Sequence, residues 1–151
     1  MNDSATETRS VTVEREIAHP PEKIWRALTQ PHLIEEWLMK NDFKPVVGHR
    51  FDLRADWGAV ECQVVEVEQD KALSYTWGDH VLKTVVTWTL TPTDTGTHLR
   101  MVQTGFQPDQ PRYYHGARAG WPQFLASLEA VLARMDCISS AHSPEPRRLV
   151  S

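Results

Sequence analysis

The chain has 151 residues of ordinary globular composition, with 16 basic and 20 acidic side chains interspersed to a net charge of −4; that length suits one domain, and the lack of any basic run beyond Arg147-Arg148 argues against a nucleic-acid partner. The opening MNDSATETRS has no apolar core for a signal peptide, and no segment approaches the ~20 apolar residues of a membrane span. Two widely separated cysteines, Cys62 and Cys137, read as free thiols suited to a reducing compartment, so a cytoplasmic location is expected.

Residues 1–9 are polar and without pattern and are expected to be frayed, with a single domain over 10–136. From Ser10, Val11, Val13, Arg15 and Ile17 alternate with Thr12, Glu14 and Glu16, which predicts a strand whose apolar face is broken by Arg15. That arginine could snorkel to solvent, pair with an acid such as Glu61 or Glu66, or stand in a cavity awaiting an anionic ligand. His19-Pro20-Pro21-Glu22 ends the strand and suits a helix start, Pro at the first turn and Glu favourable for the dipole. Two short helices follow, over 21–28 with Ile24, Trp25 and Leu28 inward, and over 31–38 with Leu33, Ile34, Trp37 and Leu38 inward. Residues 41–47 read as loop and Gly48 as a turn.

Alternation then predicts strands over 50–55, 59–69, 72–77, 83–91 and 97–104. They are separated by turn signals at Asp56-Trp57-Gly58, Gln69-Asp70-Lys71, Gly78-Asp79-His80 and Pro92 to Gly96. With the first strand this makes about six. The last strong pattern is helical: Trp121, Phe124, Leu125, Leu128, Val131, Leu132 and Met135 form one stripe, extended backwards by Tyr114 and Ala117, with Gln123, Ser127, Glu129 and Arg134 opposite. Because the stripe reaches Tyr114, a continuous helix from about Arg112, kinked at Pro122, is expected. Residues 137–151 lose periodicity and are expected to be a disordered tail. One long helix over one large antiparallel sheet is an α+β layer architecture.

Chemistry is harder to find. Seven histidines occur singly with no ligand spacing, so neither a metal nor a cofactor is expected. No GxSxG or glycine-rich phosphate loop is present. Asp79-His80 is better read as turn chemistry than as an acid-base pair. Tyr113, Tyr114 and His115 are amphipathic residues at a rim, able to present a hydroxyl or an imidazole. Six tryptophans spread through the chain are suited to building a core or lining a cavity.

The element order and several words together resemble a known family. PPEKIWRALTQPHLIEEW at 20–37, Val47 to Phe51, Tyr75-Thr76-Trp77, Val86-Thr87-Trp88, Gly96 to Leu99 and Gly120-Trp121 are similar to the helix-grip (START/Bet v-like) fold of the SRPBCC superfamily. Within it they resemble the bacterial proteins similar to the C-terminal domain of the activator of heat-shock-protein-90 ATPase. The resemblance implies a cavity between the long helix and a curved sheet, used across the superfamily for lipids, steroids and polyketides, and it implies no catalytic set. The two-domain co-chaperone carries an N-terminal domain for which this chain has no room, so chaperone contact is not implied.

The leading expectation is a binding protein, monomer or homodimer, for an apolar or amphipathic small molecule such as a lipid, fatty acid or aromatic acid. Its cavity is expected to be lined by Trp37, Phe51, Trp77, Val86, Trp88, Met101, Trp121 and Leu125, with Arg15, and Tyr114 or His115 at the mouth, orienting a carboxylate or hydroxyl. A cyclase- or hydrolase-type enzyme would instead need titratable groups converging in that cavity. A stress-related, co-chaperone-like interaction module would show a filled interior and an exposed apolar patch.

Overall fold

The long apolar stripe does form a helix, and the helix sets the rest of the architecture. In the computed structural model, residues 9–55, 58–78, 83–109 and 111–142 are described, and the side chains of 136–142 are not. The turns expected at Asp56-Trp57 and Asp79-His80, most of the frayed start, residues 143–151 of the tail and the thiol of Cys137 therefore lie outside the described residues. The order is β1 (Arg9–Ile17), α1 (Pro21–Thr29), α2 (Pro31–Trp37), β2 (Lys40–Asn41), β3 (Arg50–Ala55), β4 (Gly58–Glu68), β5 (Ala72–Gly78), β6 (Lys83–Thr93), β7 (Gly96–Phe106) and α3 (Pro111–His142).

All strands join one antiparallel sheet in the order β1-β7-β6-β5-β4-β3-β2. This is the α+β, helix-grip arrangement expected, with seven strands rather than about six. The added strand is β2, which pairs Lys40 with Arg54 and Asn41 with Leu53. Two residues are too few for alternation to register, so a loop was the natural reading there. β1 begins at Arg9, inside the stretch expected to fray. α3 passes through Pro122 as one helix and runs on to His142, past the expected tail boundary at 137, although the apolar stripe stops at Met135.

Period-two alternation decides what each strand buries. Leu73 and Tyr75, then Thr84, Val86, Trp88 and Leu90, then Leu99, Met101 and Gln103, are buried on the concave face. Two irregularities re-aim side chains. β4 carries a register shift at Val65, whose side chain is exposed, and β7 shifts against β1 beside Gly105, where Arg9 pairs with Phe106 and Ser10 with Thr104. Gly105 has φ +104°, and a Cβ there would lie 2.9 Å from the Lys83 carbonyl oxygen. Only glycine tolerates both conditions, and the resulting bulge turns Phe106 into the core.

The core lies between this face and the helices, with Leu125, Leu128 and Leu132 of α3 fully buried. On the solvent side of the bundle Arg134 pairs with Glu36 of α2. No helix among the described residues is long and apolar enough to cross a membrane.

Candidate functional site

Four tryptophans that are remote in sequence form one run of rings through the interior. Trp37 of α2 meets Trp88 edge-on at 5.6 Å, Trp88 meets Trp121 of α3 at 5.7 Å, and Trp121 meets Trp77 of β5 at 5.2 Å. Each deep indole N–H has an acceptor: Trp37 donates to the Ala27 carbonyl at 2.8 Å, Trp88 to the Tyr75 hydroxyl at 3.0 Å and Trp121 to Gln103 Oε1 at 2.7 Å. Satisfied in this way, the rings are fixed rather than merely buried.

The run divides the expected lining into two groups. Trp37, Val86, Trp88, Met101 and Leu125 are buried in close packing and border neither apolar cavity. Open space begins where the run meets the first turns of α3. A cavity of about 230 Å³ lies there, walled by Trp77, Phe106, Trp121 and Phe124, with Met39 opposite. Its cause is local: Gly116, Ala117 and Gly120 stand on the same helix face as Trp121 and Phe124 and are too small to reach the sheet. Phe51 borders a different cavity on the β3 to β6 side, and Trp77 borders both.

Polar groups enter the helix-side cavity at two levels. Arg112 and the part-exposed Tyr113 stand at its mouth, and Gln103 lies at its floor. Gln103 is 1 % exposed; its Nε2 donates to Thr84 Oγ1 at 2.8 Å, and Thr84 Oγ1 donates to the Trp77 carbonyl at 2.6 Å. This network ties the Trp121 ring to the Trp77 backbone by one chain of bonds. Sequence reasoning passed over Gln103 and Thr84, although both are in phase with buried strand positions; alternation alone could have placed them inward. It passed over Arg112 as well.

The cation singled out beforehand is elsewhere. Arg15 is half-exposed at the outer side of β1, with Nε 3.6 Å from Glu129 of α3 and a guanidinium N–H to the Glu14 carbonyl. Its acid partner comes from the helix face expected to meet water, not from Glu61 or Glu66. Tyr114 is half-buried, 5.8 Å from Phe106 and under the guanidinium groups of Arg9 and Arg118, and His115 is exposed against its edge. Arg15 and Tyr114 share a polar groove between β1 and α3, apart from the aromatic space.

Two buried groups, the Tyr75 hydroxyl and the Cys62 thiol, are held neutral. Burial pushes the Tyr75 hydroxyl well above its ordinary value, against the opposing effect of the Trp88 N–H. Burial likewise raises the Cys62 thiol, and the carboxylates of Asp52 and Glu61 push it further. Neither group offers a thiolate or a phenolate, and among the described residues no carboxylate or imidazole borders the helix-side cavity. Among the described residues, no group of three or more His, Cys, Asp or Glu could hold a metal ion. The arrangement can enclose, desolvate and orient a molecule.

Comparison with known proteins agrees with the fold. The family described as Activator of Hsp90 ATPase homolog 1-like protein matches residues 18–133. A solved Mesorhizobium loti protein is 65 % identical over 85 % of this chain and 99 % of its own, with a TM-score of 0.81. A Bacillus halodurans protein is 28 % identical over 84 % of this chain and 99 % of its own, at 0.75. CalU16 of Micromonospora echinospora, 21 % identical over 91 % of this chain and 85 % of its own, shares the fold at 0.73. No curated protein matches at a significant level.

Proposed function

The chain belongs to the activator of Hsp90 ATPase homologue 1-like family, and from that premise we propose that it is a small cytoplasmic protein that binds an amphipathic acid between α3 and the concave face of the sheet. One observation carries the reading: an aromatic cavity of about 230 Å³ has, among the described residues, one cation, Arg112, at its mouth and a fixed amide, Gln103, at its floor. An apolar cavity of about 150 Å³ can hold a benzene ring. The larger space here therefore suits an aromatic ring with its carboxylate, or one end of an alkyl chain. The ring packs against Trp121 and Phe106, and the carboxylate faces Arg112, which offers several N–H donors and a permanent charge.

An enzyme would require an acid, a base or a nucleophile placed against the ligand; among the described residues bordering the cavity, the Tyr113 hydroxyl at the mouth is the one group of that kind.

The test is titration of 1-naphthoate and of uncharged 1-naphthol against tryptophan emission. Stacking beside Trp77 and Trp121 should quench emission, with micromolar dissociation constants for the acid. Arg112→Leu should weaken the acid about tenfold, as loss of a charge-assisted bond does, and leave naphthol unchanged. Ala117→Trp should fill the space and remove both. If neither probe binds below millimolar concentrations, the binding-protein reading falls and an interaction module takes its place.

A further inference from the structure

β1 ends the sheet: β7 pairs it on one side, and among the described residues no strand pairs it on the other. An edge strand turns the N–H and C=O of alternate residues outward, where they can bond another chain. This edge is guarded unevenly. The second half of β1 carries Glu14, Arg15 and Glu16, charges of the kind that keep a further strand off an edge. Ser10, Val11, Thr12 and Val13 include no charge, proline or glycine, and all but Ser10 are β-branched, which suits them to pairing.

Beside that stretch lies a groove with α3 as its other wall. Residues 10–15 border it in unbroken succession, and Tyr114, Arg118 and Pro122, spaced along one stripe of the helix, stand opposite. Among the described residues none of β7 borders it. A space over either face of the sheet would meet the neighbouring strand as well, so this one follows the outer edge of β1. The two walls run side by side: Arg9 lies over the Tyr114 ring, and further along Arg15 meets Glu129. At about 3.4 Å per strand residue and about 1.5 Å per helix residue, both walls are roughly 20 Å long between those contacts, the length of an extended hexapeptide.

The two ends of the groove differ in charge. At one end Arg15 is matched by Glu129 and Glu14 by His98, and an Arg15 guanidinium N–H already takes the Glu14 carbonyl. At the other end Arg9 and Arg118 lie 5.1 and 5.7 Å from the centre of the Tyr114 ring, and among the described residues no carboxylate pairs either of them. The regular ladder also stops there, at the register shift between Arg9 and Ser10.

We propose that this groove takes the free C-terminal segment of a partner protein as an added antiparallel strand on β1, with the terminal carboxylate held by Arg9 and Arg118. Charge sets the direction. β1 runs from Arg9 towards Arg15, so an antiparallel strand brings its C-terminus to the unpaired arginines, whereas a parallel one would bring its cationic N-terminus there. Main-chain bonds along residues 10–13 give affinity with little demand on sequence, and the two guanidinium groups give the preference for a chain end. The groove shares no bordering residue with the cavity at Arg112, so the proposal is independent of the small-molecule reading.

The experiment titrates the full chain, by calorimetry, with a hexapeptide of alternating threonine and valine that ends in valine, as the free acid and as the C-terminal amide. The acid should bind with a micromolar dissociation constant and the amide about tenfold more weakly, the loss of a charge-assisted bond. Arg118→Gln, at an exposed position, should weaken the acid about tenfold and leave the amide unchanged; Arg9→Gln repeats the test if Arg118→Gln does not fold. Hydrogen exchange reads the strand itself, since alternate N–H groups of residues 10–13 should exchange at least tenfold more slowly with the peptide bound. No binding below millimolar concentrations, equal binding of acid and amide, or binding without that protection overturns the proposal. It is overturned too if N-acetylvaline binds as tightly as the hexapeptide, which would make the arginine pair a bare anion site. A dimer that Arg118→Gln dissociates would give the edge to a second copy of this chain and overturn it likewise.

Discussion

Gln103 shows how much a single polar side chain can organise in an apolar interior. It accepts from Trp121 and donates to Thr84 while fully buried. Replacing it with Leu keeps the volume and strands the Trp121 N–H. The expected loss is about 1–3 kcal/mol, read from urea denaturation, with Gln103→Glu as a control that keeps the acceptor. His98 makes an opposite, surface case. Its Nε2 lies 2.6 Å from Glu14, and its Nδ1 meets Glu16. These two bonds, Glu16 first, raise its pKa above the usual 6.5. A raised pKa in the folded state means stability that is fully present below the unfolded value and lost as pH rises through the folded one. The parent should therefore exceed His98→Gln in melting temperature at pH 5.5 in low salt, and the difference should fade by pH 9. A difference that grows with pH would refute this sign. The pair is exposed, so added salt should shrink the effect.

At the scale of elements, α3 and the β7 bulge can be tested separately. Leu128 is fully buried at the centre of the α3 stripe, and Leu128→Ala should cost about 2–5 kcal/mol. A loss at the level of surface substitutions, below about 0.5 kcal/mol, would remove the helix from the centre of the fold. Gly105→Ala adds a single methyl, yet it meets the Lys83 carbonyl and a positive φ at once. About 1–3 kcal/mol of backbone strain is expected, measurable by the same denaturation, where an ordinary glycine in a strand would gain from alanine. The elements themselves were legible because their patterns are long: the α3 stripe holds from Tyr114 to Met135, and β6 and β7 alternate over many residues. β2 was not legible, since a two-residue strand exists only by pairing with β3. The end of α3 was not either, because its last residues belong to no apolar stripe.

For the molecule as a whole, ligand and stability are linked, since a ligand that binds only the folded chain raises its melting temperature. At a hundredfold excess over the dissociation constant the gain is about 2.7 kcal/mol, or roughly 5–10 °C for a domain of this size. Calorimetry with 1-naphthoate should show that shift in the parent and none in Ala117→Trp; an unchanged melting temperature in the parent would contradict binding. The sequence by itself determined the fold class, the element order and the buried face of each long element, because side-chain periodicity is a local property that any correct fold must respect. Its distributed tryptophans announced a ring-built interior but not which rings would pack and which would border space. That was decided by tertiary structure. Trp88 and Leu125 are enclosed by neighbours from several elements, whereas Trp77 and Trp121 meet the one stretch of α3 where Gly116, Ala117 and Gly120 leave room. The same applies to charge. Arg15 and Arg112 look alike in a list of residues, yet Glu129 on the crossing helix pairs the first, and the second stands at the mouth of the cavity, because the environment of a charge is set by neighbours distant in sequence.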